Sequence, residues 1–165
     1  MRKASSLPGR RWRSVIFPLV ALIIVCADQL SKLWLKANLA PGETLFEVGI
    51  FRITHVHNTG AAFGLFQDQS SALTIVALLG AALILVCALF MRRFPPLDSM
   101  WGRLALGLVL GGTIGNLVDR LRLGYVVDFI DIGWWPAFNL ADSALVVGAI
   151  ILALTLLPLA RTGKW

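Results

Sequence analysis

Four stretches of this chain run apolar for close to the ~20 residues a helix needs to cross a bilayer: 15–35, 70–90, 103–122 and 141–159. Between the first two, Glu43-Thr44-Leu45-Phe46-Glu47-Val48 and Ile50-Phe51-Arg52-Ile53-Thr54-His55-Val56 alternate apolar with polar around Gly49. That alternation predicts a small hairpin lying on the membrane surface, with an ordered loop as the alternative. The first stretch follows Arg2, Lys3, Arg10, Arg11 and Arg13, and its Val25-Cys26-Ala27 loosely resembles a leader cleavage site. Its apolar run continues through Leu30, Leu33, Trp34 and Leu35, so the pattern predicts an uncleaved helix. The third stretch is the weakest, because Asn116, Asp119, Arg120 and Arg122 crowd its end. The prediction is an all-α integral membrane protein: one domain over 1–165, four transmembrane helices, and a small extracytoplasmic β-hairpin or cradle in the outer segment 37–69.

Composition agrees, since 58% of the 165 residues are hydrophobic and only 15% are charged. The formal charge of +6 does not point to nucleic acid, because the fifteen Lys and Arg sit in short flanks rather than on one basic face. They read instead as topology. Five precede the first span, Arg92, Arg93 and Arg103 lie between spans two and three, and Arg161 and Lys164 close the chain. Both termini are therefore expected in the cytoplasm, with 37–69 and 123–138 outside. In the latter loop, Trp134, Trp135 and Phe138 suit an interfacial aromatic belt. Cys26 and Cys87 each lie in an apolar run with no His or Cys nearby, which reads as packing rather than a disulfide or metal site.

Against this background the polar residues stand out. At ~1.5 Å per residue, Asp28 lies about 20 Å into the first span with Lys32 one turn further on the same face. Asn116 lies as deep in the third span, with Arg120 one turn beyond. Asn58, Thr59 and Gly60 precede the second span from outside, and Asp142 opens the fourth. Separate segments thus bring polar groups to one level, the outer leaflet, and a carboxylate at membrane depth costs about 2.5–3.5 kcal/mol on insertion scales. Asp128 and Asp142, brought together, could share a proton and hydrolyse a bond without metal, serine or cysteine.

Plainer readings stand beside that one. Asp28 and Lys32 form an i,i+4 pair with a structural or supporting part. Asn139 and Asp142 fit a helix N-cap and its N3 acid. Asp119 reads as a local ion pair with Arg120, Asp131 as an exposed loop charge, and His55 and His57 as hairpin side chains. Gly107, Gly111 and Gly115 recur every fourth residue, as in a close helix-packing seam. An ion or proton transporter is a rival function, disfavoured by the almost purely apolar inner halves of the spans. A lipoprotein cleaved at Cys26 is another, disfavoured by Val25 before the cysteine.

Five motifs, in order and over nearly the whole chain, resemble one family: Asp28-Gln29-Leu30-Ser31-Lys32, Asn58-Thr59-Gly60-Ala61-Ala62-Phe63-Gly64, Gly112-Thr113-Ile114-Gly115-Asn116-Leu117-Val118-Asp119-Arg120, Val126-Val127-Asp128-Phe129 and Phe138-Asn139-Leu140-Ala141-Asp142-Ser143. The family is lipoprotein signal peptidase, or signal peptidase II. The resemblance implies an aspartic endopeptidase of the bacterial cytoplasmic membrane that removes the signal peptide of prolipoproteins before a diacylglyceryl-modified cysteine, its site at the outer leaflet. It carries the catalytic role to Asp128 and Asp142, lining roles to Asn58, Gly60, Asn116, Arg120 and Asn139, and a mainly structural part to Asp28 and Lys32. Implied partners are modified prolipoproteins and membrane lipids, with no cofactor, no metal, no nucleic acid, and a monomer as the expected state.

Overall fold

The computed structural model describes residues 9–60 and 69–162, so Ala61 to Gly64 of the second motif and the first basic residues lie outside the described residues. Helix α1 spans Gly9–Asn38, α2 Ser70–Phe90, α4 Met100–Leu123 and α5 Leu140–Thr162, with the one-turn α3 at Pro95–Asp98. Among the described residues, these four long helices are the ones apolar enough to cross a membrane. Each predicted span is found: α2 coincides with 70–90, and the other three helices run from one to six residues further at their ends.

The span read as weakest is the centre of the bundle. In α4, 56% of the apolar window is buried inside the protein, against 11%, 6% and 17% in the other three. Its small residues make this possible. A Cβ added to Gly107 would lie 2.9 Å from the Phe17 carbonyl oxygen, and one on Gly111 2.8 Å from that of Ala21, so α1 and α4 approach backbone to backbone. On its other side Gly112 abuts the Ala141 carbonyl, and Gly148 of α5 meets Leu108 and Val109. The predicted seam is thus present against α1, and a second close contact, at Gly112 and Gly148, lies between α4 and α5. Of the polar end residues that made α4 look marginal in sequence, Asn116 and Asp119 are buried within the protein and Arg120 is half-buried, while Arg122 is exposed.

The Met100 end of α4 is pinned by charge. Ser99 Oγ caps α4 by accepting from the Gly102 N–H at 3.0 Å, while buried Arg103 pairs with Asp98 and donates to the Arg13 carbonyl at 3.2 Å. Arg103, read from the sequence as a loop charge flanking the third span, is instead a buried residue of α4. Cys87 is half-buried, whereas Cys26 is exposed on α1 and does not pack inside.

At the opposite end of the bundle the predicted hairpin forms from β1 (Thr44–Val48) and β2 (Phe51–Asn58), with Gly49 at a φ of 61° in the turn. A third strand, β3 (Val126–Asp131), joins the other edge of β2 to give an antiparallel sheet of order β1-β2-β3. This corrects the reading of 123–138 as loop throughout. Gly124, at φ 81°, ends α4 in the left-handed conformation and donates to the Arg120 carbonyl, which turns the chain straight into β3. Asp131 is likewise not an exposed loop charge: it lies in β3 opposite Arg52, with 2.6 Å between them. Leu35 and Leu39 pack on Val127 and Phe129, fastening the sheet to the top of α1. His55 and His57 are strand residues as expected; His55 Nδ1 donates to the Leu39 carbonyl at 2.9 Å, and His57 stacks on Tyr125.

Candidate active site

Asp142 is held by the start of α5. Asn139 is the N-cap: its Oδ1 accepts the Asp142 N–H at 3.0 Å, and Asp142 Oδ2 accepts the Asn139 N–H at 3.1 Å. This reciprocal capping is the plain reading made of the two residues, and it holds. It leaves Asp142 Oδ1 free for a third bond, from Asn116 Nδ2 at 2.7 Å.

Asp128 comes from β3 and is 1% exposed. Its Oδ2 accepts from Asn58 Nδ2 at 2.8 Å, where β2 ends, and its Oδ1 accepts from Asn139 Nδ2 at 2.7 Å. Burial pushes the Asp128 carboxyl up to about 7, helped by the charge of Asp142 and opposed by the two amide donors and Lys32. Asn139, itself 0% exposed, therefore touches both acids, one through its side chain and one through its backbone.

The remaining predicted residues surround this pair. Asn116 accepts from Lys32 Nζ and from Asn139 Nδ2, each at 3.0 Å, while donating to Asp142. Arg120 Nη2 donates to the Gly60 carbonyl at 3.3 Å, and the Gly60 N–H returns to Asn58 Oδ1 at 3.0 Å. Asn58, Gly60, Asn116, Arg120, Asp128 and Asp142 line one cavity of about 620 Å³. Apart from Ser143 its other walls are apolar, with Trp135 and Phe138 in the loop after β3 and the exposed Val146 and Val147 on the flank of α5. A cavity of this size with convergent polar groups at one end and apolar walls suits an extended ligand with a greasy part.

Behind the cavity lies a layer of charge. Asp28 and Lys32 form the expected pair at 2.9 Å, but Lys32 also meets Asp119 at 3.0 Å. Asp119 is therefore not a local partner of Arg120. Adjacent helix positions diverge by about 100°, so Asp119 faces α1 while Arg120 faces the cavity. Gln29, which the sequence did not single out, donates to both Asp28 and Asp119. The available signal was spacing: Asp119 stands three residues after Asn116 and shares its face. Among the described residues, no group of three or more His, Cys, Asp or Glu is placed to hold a metal.

The family model described as Signal peptidase (SPase) II matches residues 20–158. A lipoprotein signal peptidase of Dehalococcoides mccartyi is 48% identical over 151 residues, covering 92% of this chain and 94% of its own. One from Moorella thermoacetica is 47% identical over 150 residues, covering 90% and 97%. The solved structure of a bacterial membrane enzyme, obtained by the in meso method at 2.3 Å, superposes with a TM-score of 0.78 at 26% identity, over 99% of this chain and 96% of that one.

Proposed function

Because the chain belongs to the signal peptidase II family, multi-pass membrane hydrolases that cleave signal peptides from prolipoproteins, we propose that Asp128 and Asp142 are its catalytic pair. The observation that carries this reading is the double grip of Asn139 on two carboxylates lining one cavity. Asp142, at a helix N-terminus where the dipole favours an anion, is the general base that takes a proton from the attacking water. Asp128, which keeps its proton to about pH 7, polarises the scissile carbonyl and then protonates the leaving amine. As a coupled pair, the two share these protons jointly.

Asn58, Gly60, Asn116 and Arg120 bind substrate carbonyls or the lipid ester in this scheme, and Asn139 orients both acids. Arg120 is well suited, since its planar fork can take two oxygens at once. The diacylglyceryl chains extend along the apolar walls toward the lipid-facing side of α5, in the outer leaflet of the bacterial cytoplasmic membrane. The enzyme works as a single domain and as a monomer.

Asp128→Asn and Asp142→Asn test the pair. An amide neither accepts the water's proton nor donates one, so each variant abolishes cleavage of a diacylglyceryl-modified precursor while still inserting and binding it. If Asp142 were only a capping acid, asparagine there would lower stability by about 0.5–1 kcal/mol and leave turnover nearly intact. Substantial cleavage by either folded variant removes that residue from the chemistry.

A further inference from the structure

Two backbone amides frame the acid pair. Val127, immediately before Asp128, donates its N–H to Asp119 Oδ2 at 3.1 Å. Ala141, immediately before Asp142, donates its N–H to Asp28 Oδ1 at 3.1 Å. The two accepting carboxylates come from different helices, α4 and α1, and meet on one ammonium. Lys32 Nζ lies 2.9 Å from Asp28 Oδ2 and 3.0 Å from Asp119 Oδ2, and its third contact is Asn116 Oδ1 at 3.0 Å. A lysine ammonium has three protons to donate and accepts none. All three are used, and the Asn116 amide is forced to present its oxygen to Lys32 and hence its N–H to Asp142. Gln29 Nε2 ties the carboxylates a second time, 3.2 Å from Asp28 Oδ2 and 3.1 Å from Asp119 Oδ1.

Stability alone is a poor account of such a cluster. Asp28, Lys32 and Asp119 are 0%, 1% and 3% exposed, and buried ions are often replaced by apolar side chains without loss of stability. What apolar residues could not do is hold a strand and a helix at fixed points through their N–H groups. Each arm of the cluster ends one residue from an acid or on an acid's own hydrogen-bond donor. The geometry points to Asp28, Lys32 and Asp119 as a positioning clamp: Lys32 is the hub, Asp28 the arm to α5 and Asp119 the arm to β3, and together they set the separation and orientation of Asp128 and Asp142. The clamp rests on the reading of those two as the catalytic pair.

The test uses the full-length enzyme in lipid or detergent, with a diacylglyceryl-modified precursor peptide as substrate. Asp119→Ala frees the Val127 N–H and lets β3 shift. A displacement of ~1 Å at a reacting group costs about a hundredfold, so kcat falls by about that factor. KM stays within about threefold, because the lining residues are untouched. Asp119→Asn keeps an oxygen for Val127 and recovers part of kcat, and Lys32→Met, which releases both arms, loses more than either. A merely structural role would lower the yield or thermal stability of Asp119→Ala and leave kcat per folded molecule unchanged. That result, or a defect confined to KM, overturns the clamp. Should Asp119→Ala fail to accumulate, parental kcat in both Asp119→Asn and Lys32→Arg overturns it equally. Asp128→Asn and Asp142→Asn run in the same assay keep the two ideas apart: cleavage by either sinks the catalytic assignment, whereas only the Asp119 and Lys32 variants judge the clamp.

Discussion

Burial and the neighbouring charge of Asp142 let the Asp128 carboxyl keep its proton to about pH 7, far above an exposed aspartate, against the opposing pull of the Asn58 and Asn139 amides. In the proposed chemistry Asp128 must be protonated to polarise the carbonyl, so the sign of the pH dependence is fixed. The protonated fraction falls as pH rises through about 7, and kcat falls with it, by roughly tenfold per unit once the proton has left. Measuring kcat across the neutral and alkaline range decides this; a flat profile well above neutrality would assign the acid role elsewhere. Both aspartates were legible in the sequence, because a lone carboxylate at the edge of an apolar segment is conspicuous. Asp119 was not. It sits beside Arg120 in sequence, and only the turn of the helix, carrying one side chain to α1 and the other to the cavity, separates their partners. Gln29 was hidden for a related reason: an amide carries no charge to betray burial, and its value lies in bonding two helices at once.

Among the elements, the four spans follow directly from hydrophobic run length, and the hairpin from its alternation. Strand β3 escaped because Val126-Val127-Asp128-Phe129-Ile130 is apolar nearly throughout rather than alternating, as befits a strand buried on both sides between α1 and the cavity. The glycine pattern of α4 was legible as a seam, but not which helix lay on which face. Gly112 faces α5 at the point where Ala141 gives its N–H to Asp28. A Cβ there would strike the Ala141 carbonyl and come 2.9 Å from Leu145 Cγ. Gly112→Ala is therefore expected to destabilise by about 1–3 kcal/mol through overpacking, and to lower turnover per folded molecule because the start of α5 carries Asp142. Gly80→Ala, with nothing within 4 Å of the added carbon, is the matched control and should behave like the parent. Thermal unfolding in detergent and specific activity read both effects, and equal behaviour of the two variants would refute the tight contact.

For the molecule as a whole, the common level of the polar groups is the decisive property. Asp28 and Lys32 on α1, Asn58 on β2, Asn116 and Arg120 on α4, Asp128 on β3 and Asp142 on α5 all gather at the end of the bundle that carries the sheet. The opposite end holds the Asp98–Arg103 pair, with Arg92 and Arg93 exposed next to it. The bundle is thus polar and hollow at one end, and basic at the other. Positive charge in short loops is retained on the cytoplasmic side, so the expectation to be tested is that the sheet and the cavity face outward. Reporters fused after Phe94 and after Trp165 are expected to be cytoplasmic, and reporters inserted between residues 40 and 55 or near Gly133 external. An enzyme active only outside and one active only inside, such as alkaline phosphatase and a fluorescent protein, give opposite readouts at each site. An external C-terminus together with a cytoplasmic Phe94 would require an odd number of crossings between them. It would break the alignment of α4 and α5 on which the proposed pairing of Asp128 with Asp142 depends, because α5 would then start from the wrong side of the membrane.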